Sequence, residues 1–402
     1  MRILLMTGQF PFPPDSGWNI RTYNFIRFLS QRHEITLLSF YTEKDNPACF
    51  SELFRYCSTV LTIKRSSSYN PFSLAKGLLT SIPFTIWNYR SKEMDTKALE
   101  LLALREYQVI QVEDIHMSQY LPQGGCGLKI LDMHNIESQF IERFSKIETN
   151  ILRKLYAYIT SKKLKDYEII NSRKFDICLT VSEEERKTFQ FYAQHKSIKV
   201  VPNGVDLSYF SPSGVEADPF TLLFLGKLDY RPNIDALQYF IAEIWPLIHS
   251  RIPEAKFVIV GKGMSENLRS SLVSKHVIVK GYVEDIRNVL SICTAVVVPL
   301  RYGGGTRIKI LEALAMGKPV ISSSLGCEGI EILNGKEILV ADSPESFAES
   351  VIQVLMRQDL RLKLGRMGRE LVEEKYNWAK IGENLETIYL KWHDQRKRDF
   401  SY

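Results

Sequence analysis

Apolar residues along the chain fall in short unbroken runs, and a stretch with helical spacing follows most of them. The first run, Arg2–Gly8, leads through a Pro-rich loop to Gly17. Ile20, Tyr23, Ile26 and Leu29 then recur every three residues. Further strands are predicted at Glu34–Ser39, Val60–Ile63, Val109–Val112, Lys129–Met133 and Ile177–Val181. A second series comprises Phe220–Gly226, Phe257–Val260, Val277–Val279, Ala295–Leu300, Pro319–Ser322 and Ile338–Val340. Runs that are apolar at every position belong to strands covered on both faces. Alternation of such strands with helices gives parallel sheets with helices on both sides. The opening pattern occurs twice: Phe220–Gly226 is again a strand closed by glycine, followed by Pro232 and a helix from about Asn233 to His249. The predicted fold is therefore α/β, with two doubly wound, Rossmann-like domains facing each other. A stretch rich in Pro, Gly, Ser and Asp from Val200 to Asp218 marks the boundary. The expected domains are residues 1–199 and 200–376, with a final helical segment, 377–402, packing back on the first.

The chain's 402 residues exceed what one core of ~250–300 residues accommodates, which agrees with two domains. A hydrophobic content of 45% and a charged content of 24% exclude a disordered or fibrous chain. The longest apolar stretch, Val289–Leu300, contains Ser291 and Thr294 and falls short of the roughly 18 residues a spanning helix needs. The N-terminal run Ile3–Met6 reads as a buried strand rather than a signal peptide. Six scattered cysteines (Cys49, Cys57, Cys126, Cys178, Cys293 and Cys327) form no C-x-x-C pair and read as buried thiols in a reducing compartment. The expected location is the cytoplasm.

Charge is unevenly placed. Residues 141–175 carry nine Lys/Arg against four Asp/Glu, and residues 64–92 carry five basic residues and no acid. Aromatic residues (Tyr69, Phe72, Phe84, Trp87 and Tyr89) interleave the second stretch. A long basic helical pattern over 141–168 includes Ile141, Phe144, Ile147, Ile151, Leu155 and Ile159. Two readings stand: docking on the anionic inner face of a membrane, or core packing with solvated lysines. No motif for nucleic-acid binding is present.

In open parallel sheets, ligands bind beyond the carboxyl ends of the strands, and a cleft between facing domains is the expected site. The richest such segment is Arg301-Tyr-Gly-Gly-Gly-Thr-Arg-Ile-Lys-Ile-Leu-Glu312, which follows a predicted strand. Gly303, Gly304 and Gly305 allow backbone N–H groups to approach an anion, and Thr306 is the expected helix N-cap. Arg307 and Lys309 in the first turn oppose the helix dipole by ~0.3–1 kcal/mol each. An anion at 4 Å offsets this with about 4 kcal/mol at an effective dielectric near ~20, so a phosphate or diphosphate is the predicted ligand. Glu312 is placed to accept bonds from ribose hydroxyls. Lys227 and Arg231 follow the first strand of the second domain and point to the same anion. In the first domain, His116 and His134 follow predicted strands, where imidazoles transfer protons or orient sugar hydroxyls. The Gly8–Gly17 loop lies at the matching edge.

Taken together, these segments resemble the retaining glycosyltransferases of family 4, which have the GT-B fold. The carriers are Pro13–Gly17, Val201-Pro-Asn-Gly-Val-Asp206, Gly226-Lys-Leu-Asp229, Val260-Gly-Lys-Gly263, Gly281-Tyr-Val-Glu-Asp285 and Gly303 through Pro319. Asp132-Met-His-Asn135 resembles versions found in exopolysaccharide and cell-surface glycan transferases. The resemblance implies a nucleotide-diphosphate sugar as donor, a glycan or lipid-linked acceptor, no cofactor and no metal. It places a phosphate contact at Lys227, with Arg231, Arg307 or Lys309 standing in for a second lysine that has no clean match. Glu312 matches the later Glu of an E-x7-E motif that binds ribose. Gly304 occupies the earlier Glu position, where a backbone N–H replaces the carboxylate. His116 matches a histidine near the reacting sugar carbon. Gly17, His134, Gly305, Thr306 and Glu328 complete the expected donor site. Two rivals remain: a GT-B sugar-nucleotide epimerase, and a non-catalytic scaffold. A nicotinamide enzyme is disfavoured because no strand runs into G-x-G-x-x-G.

Overall fold

The computed structural model describes residues 1–399 apart from 44, 46–48, 66–70, 122–126 and 273–275. Cys126 and Tyr69 lie outside the described residues, as does the side chain of Phe72. The chain divides into two compact units. The first comprises Met1–Pro202 with Ala379–Tyr402, and the second Asn203–Trp378.

The first unit is built on seven strands: β1 (Arg2–Thr7), β2 (Glu34–Tyr41), β3 (Thr59–Lys64), β4 (Val109–Glu113), β5 (Leu128–Asp132), β6 (Ile177–Thr180) and β7 (Ile198–Val200). They pair in parallel in the order β3-β2-β1-β4-β5-β6-β7. The second unit carries β8 (Thr221–Leu225), β9 (Lys256–Val260), β10 (Val277–Gly281), β11 (Ala295–Val298), β12 (Val320–Ser322) and β13 (Leu339–Val340). Their order is β10-β9-β8-β11-β12-β13, again parallel throughout. In each sheet the strand order reverses beside the first strand, so the loops after β1 and β4, and after β8 and β11, flank the switch point where such sheets take ligands. All residues of β4, β8 and β11 are buried, as expected of central strands covered by helices on both faces.

The last helix, Trp378–Asp399, belongs to the first unit from Ala379 onward. Ile381, Leu385 and Tyr389 recur every four residues and are all buried. Gly382 lets Phe28 pack against the helix, since a Cβ there would come within 2.4 Å of the ring. Glu386 pairs with Arg32 at 2.7 Å and with His33 at 3.0 Å.

Several local expectations are corrected. The single helix read over 141–168 is two, Glu137–Ile147 and Ile151–Ser172, with Asn150 capping the second through Arg153 N. Strand β7 has only three residues, too few to register as a run. The helix read from Asn233 to His249 begins at Arg231 and passes through a π-helical turn, Phe240–Ile244. Phe84 and Tyr89 are buried in the core, whereas Trp87 is half-buried. Cys57, Cys178, Cys293 and Cys327 are buried thiols, whereas Cys49 is half-buried.

Candidate functional site

In the second unit, the site grows out of the ends of β8 and β11. The turn after β8 passes so close to the turn after β9 that a Cβ on Gly261 would lie 1.7 Å from Gly226 O. Only glycine fits there. The start of the Arg231–Tyr239 helix then folds Asn233 back over the turn. Asn233 donates through Nδ2 to Lys227 O at 2.8 Å and accepts from Lys309 Nζ at 3.0 Å. One side chain thus ties the loop after β8 to the first turn of the Ile308–Ala315 helix. A Cβ on Gly226 would stand 2.6 Å from Asn233 Nδ2 and 3.1 Å from Lys309 Nζ. Lys309 Nζ also lies 4.6 Å above the Phe224 ring, a cation–π contact that fixes its direction.

The helix begins one residue later than the sequence implies. Thr306 does not cap it; Arg307 occupies the cap position and makes no side-chain cap bond. Thr306 Oγ1 is buried and has no hydrogen-bond partner among the described residues. A buried hydroxyl in that condition is costly unless a ligand completes it. The Arg307 guanidinium turns back onto the glycine loop and donates to the carbonyls of Gly304 and Gly305. Gly303 has φ 142°, and a Cβ there would meet Arg307 at 2.7 Å, so the brace requires glycine at that position.

Lys309 and Glu312 sit one helical turn apart, both half-buried. Burial, together with the charge of Arg307, pushes the Lys309 amine down to about 7 against the opposing pull of Glu312. Burial pushes the Glu312 carboxyl up to about 7 against the pull of Lys309. Arg231, first in its helix, is exposed; Lys227 and Glu328 are half-buried. Glu328 lies in the turn after β12. A pocket of about 280 Å³ beyond β11, β12 and β13 is lined by Tyr239, Arg301, Ser323 and Asp342 among others; of the glycine-rich segment it takes only Arg301, and it includes none of Lys227, Arg307, Lys309, Glu312 and Glu328.

In the first unit, β4 and β5 are neighbours, and each ends on a carboxylate followed by a histidine. Glu113 Oε2 is 2.6 Å from His134 Nε2. Asp132 is gripped by Arg21 through both oxygens, at 2.9 and 2.8 Å, and both side chains are fully buried. Arg21 also donates to Pro202 O at 3.1 Å. Gln111 links Glu113, at 2.7 Å, to the hydroxyl of Tyr389 on the last helix. Glu113, Asp132 and His134 lie close enough together to hold a metal ion. Asp132, however, is already paired with the chain's own Arg21, and Glu113 with His134, so the set reads as an ion-pair network. His134 is 4.9 Å from the ring of Trp18, the neighbour of Gly17, which opens the Gly17–Leu29 helix. His116 is held through Nδ1 by Asp114 at 2.6 Å and packs on the Tyr89 ring at 4.8 Å.

The structure therefore brings Lys227, Arg307, Lys309 and Glu312 together with the glycine loop in one unit, and His116 and His134 onto adjacent strand ends in the other. Sequence reasoning passed over Asn233, Arg21, Glu113 and Asp114. The two acids were visible beside the histidines; nothing in the local pattern distinguished Arg21.

Residues 219–357 match the Glycosyl transferases group 1 family. An uncharacterized 44.6 kDa protein in the cps region of Klebsiella pneumoniae is 21% identical over 396 residues, 96% of this chain and 98% of that protein. A UDP-Gal:alpha-D-GlcNAc-diphosphoundecaprenol alpha-1,3-galactosyltransferase of Escherichia coli is 24% identical over 233 residues, 53% of this chain and 59% of that enzyme. Among solved structures, sucrose-phosphate synthase from Thermosynechococcus elongatus superposes with a TM-score of 0.73 at 18% identity, covering 98% of this chain and all of that one. No helix among the described residues is long and apolar enough to cross a membrane.

Proposed function

We infer that this chain, a group 1 glycosyltransferase on the GT-B fold, moves a sugar from a nucleotide-diphosphate sugar to a glycan or lipid-linked acceptor with retention of anomeric configuration. The observation that carries the donor assignment is the cradle at the end of β8, where Gly226, Asn233 and Lys309 meet, together with the buried, unpartnered Thr306 hydroxyl just ahead of the helix that carries Lys309. It is a built anion site, with a cation held at a fixed point and a donor awaiting an acceptor.

In this reading the donor diphosphate lies against Lys227, Lys309 and the backbone N–H groups of Gly304 and Gly305, and Arg307 braces the loop that presents them. Arg231 and Glu328 sit at its margin, and Glu312 takes the ribose hydroxyls. The fixed positive charges stabilise the diphosphate as the glycosidic bond breaks, the role a divalent metal fills in other sugar transferases. The resemblance assigns His116 to the donor sugar near its reacting carbon; within the first unit, His134 and Gly17 lie on the same strand-end side. The acceptor hydroxyl attacks from the face the diphosphate leaves, which retains configuration.

A thermal-shift screen against UDP, GDP and their sugars identifies the base, since a ligand at 100 times its Kd stabilises by about 2.7 kcal/mol. Lys227→Ala and Arg307→Ala are each expected to cut turnover strongly. Full turnover after both changes overturns the phosphate assignment. Donor-alone incubation separates transfer from epimerisation, and loss of all donor turnover in His116→Ala removes the scaffold reading.

A second feature bears on the acceptor. Where the helices Glu137–Ile147 and Ile151–Ser172 meet, Ile151 and Leu152 are each 78% exposed, and Ile147 and Leu155 are exposed beside them. Arg143, Lys146, Arg153 and Lys154 lie on the same two helix ends. Exposed apolar residues flanked in sequence by cations suit the surface of an anionic bilayer, where a lipid-linked acceptor resides.

A further inference from the structure

Asp114 is the residue just past β4, and its backbone is strained. Its φ of 73° and ψ of 150° fall where only glycine is comfortable. The amide is tied to Asp132 O at 2.8 Å, which holds the strained turn against β5. Glycine would serve this backbone better, so the side chain must repay the strain. That side chain is buried. Its Oδ1 lies 2.6 Å from His116 Nδ1 and accepts from His116 N at 3.1 Å. Its Oδ2 is buried with no hydrogen-bond partner among the described residues. Capping the short helical turn Ile115–Tyr120 does not require this conformation, because the other serine, asparagine and aspartate caps, such as Ser16, Asn150 and Ser182, use extended backbone.

We propose that Asp114 is the positioning residue for His116: it accepts an unfavourable backbone in order to fix the imidazole by Nδ1–H and to present Nε2–H, as a charged donor, to the departing diphosphate or a sugar hydroxyl. The inference rests on the reading that His116 meets the donor, and it assigns that residue the role of a hydrogen-bond donor rather than a base.

The surroundings agree. Burial alone would push the imidazole down; the charge and hydrogen bond of Asp114, with the charge of Glu137, outweigh it and lift His116 to about 9, against Arg65. The charged or titratable groups acting on the ring are Asp114 just past β4, Glu137 at the start of its helix, and Arg65 after β3, whose guanidinium lies 4.1 Å over the Tyr89 ring that His116 packs on. His134, two residues past β5, acts electrostatically on Asp114. The Asp114 carboxylate, at hydrogen-bond distance from Nδ1, makes the imidazolium the stable form at neutral pH; Glu137, pushed up to about 8 by burial and by the charge of Asp114, adds to it only as it ionises.

The test follows the His116 imidazole itself, by ¹⁵N-histidine NMR of the full-length protein from pH 5 to pH 10, with His116→Ala assigning the signal. In the wild type, His116 is expected to remain an imidazolium, protonated at Nδ1, through pH 8. In Asp114→Asn, which tolerates the same backbone, its proton affinity is expected to fall by a factor of roughly 300, to the ordinary histidine value or below. In Asp114→Gly, the melting temperature is expected to hold or rise while the imidazole again becomes neutral by pH 8. Unchanged titration of His116 in both variants overturns the inference, as does a wild-type His116 that is neutral at pH 7. Turnover of UDP-glucose and GDP-mannose by His116→Ala addresses the parent reading separately: activity retained there removes His116 from the donor site and leaves the titration result standing.

Discussion

The most searching prediction concerns how donor affinity depends on pH. Lys309 and Glu312 share one helix face in the candidate donor site, and each titrates near neutrality for the same reason, burial. The proposed binding mode needs Lys309 protonated, against the diphosphate, and Glu312 ionised, against the ribose. The signs are opposite. The folded value of Glu312 is raised, so below about 7 it is protonated and must release a proton to bind; affinity rises with pH up to that point. The folded value of Lys309 is lowered, so above about 7 it is neutral and must take up a proton; affinity falls beyond that point. The result is a bell centred near neutrality.

The magnitude follows from counting microstates. With both groups near 7, roughly a quarter of the unliganded protein carries the competent pair at neutral pH, and about 3% carries it 1.5 pH units to either side. Kd should therefore rise about 8-fold at each end, or ~1.2 kcal/mol. Attraction between the two groups favours the ion pair and broadens the top of the bell without removing its limbs. Isothermal calorimetry with UDP-glucose and GDP-mannose suits the test, since a diphosphate diester has no titration of its own in this range. Buffers of differing ionisation enthalpy count the protons: release on the acid side, uptake on the alkaline side. Lys309→Met should remove the alkaline limb, and Glu312→Gln the acid limb. A Kd that stays flat from pH 5.5 to pH 8.5, with no proton exchange, refutes the placement of both side chains on the ligand.

Three further outcomes can be checked. Arg21→Met leaves Asp132 as an unpaired buried carboxylate and should destabilise the first unit by about 3–5 kcal/mol in urea denaturation, whereas Arg21→Met combined with Asp132→Leu should recover much of that loss. Gly226→Ala forces a methyl against Asn233 and Lys309, so the second unit should still melt cooperatively while turnover falls more than ~10-fold; unaltered turnover would detach this turn from the donor site. Leu152→Glu, at a position 78% exposed, should leave the melting temperature unchanged and abolish sedimentation with acidic liposomes at low salt; wild-type protein that fails to sediment with them rejects membrane docking.

The parts of the fold that could be read from the sequence are those where a single local rule decides the outcome. β11 is apolar at every residue because it is covered on both faces, and no other element type satisfies that pattern at such length before a glycine-rich turn. The proposed donor side was legible for a related reason: the glycine loop, Arg307, Lys309 and Glu312 are close in sequence, so their proximity is covalent before it is tertiary. What was not legible depends on distant partners. In the Gly17–Leu29 helix the spacing turns Ile20, Tyr23, Ile26 and Leu29 inward; the last three are buried, but so are Arg21, Thr22 and Phe25, while Ile20 is half-buried. Burying Arg21 on that wider face makes sense only once Asp132, 111 residues away, supplies the countercharge. Asn233 is equally silent in sequence, because its role is to join two loops through opposite ends of one amide. The strain at Asp114 leaves no trace either, since aspartate after a strand is ordinary and only the backbone angle marks it. These three residues share a property: each fixes another polar side chain, Asp132, Lys309 or His116, through a contact that sequence spacing does not encode. The residues proposed to do chemistry at strand ends therefore announce themselves by type and position, while the residues that aim them are found by asking which buried polar atom, or which strained backbone, would be a liability if the site were removed.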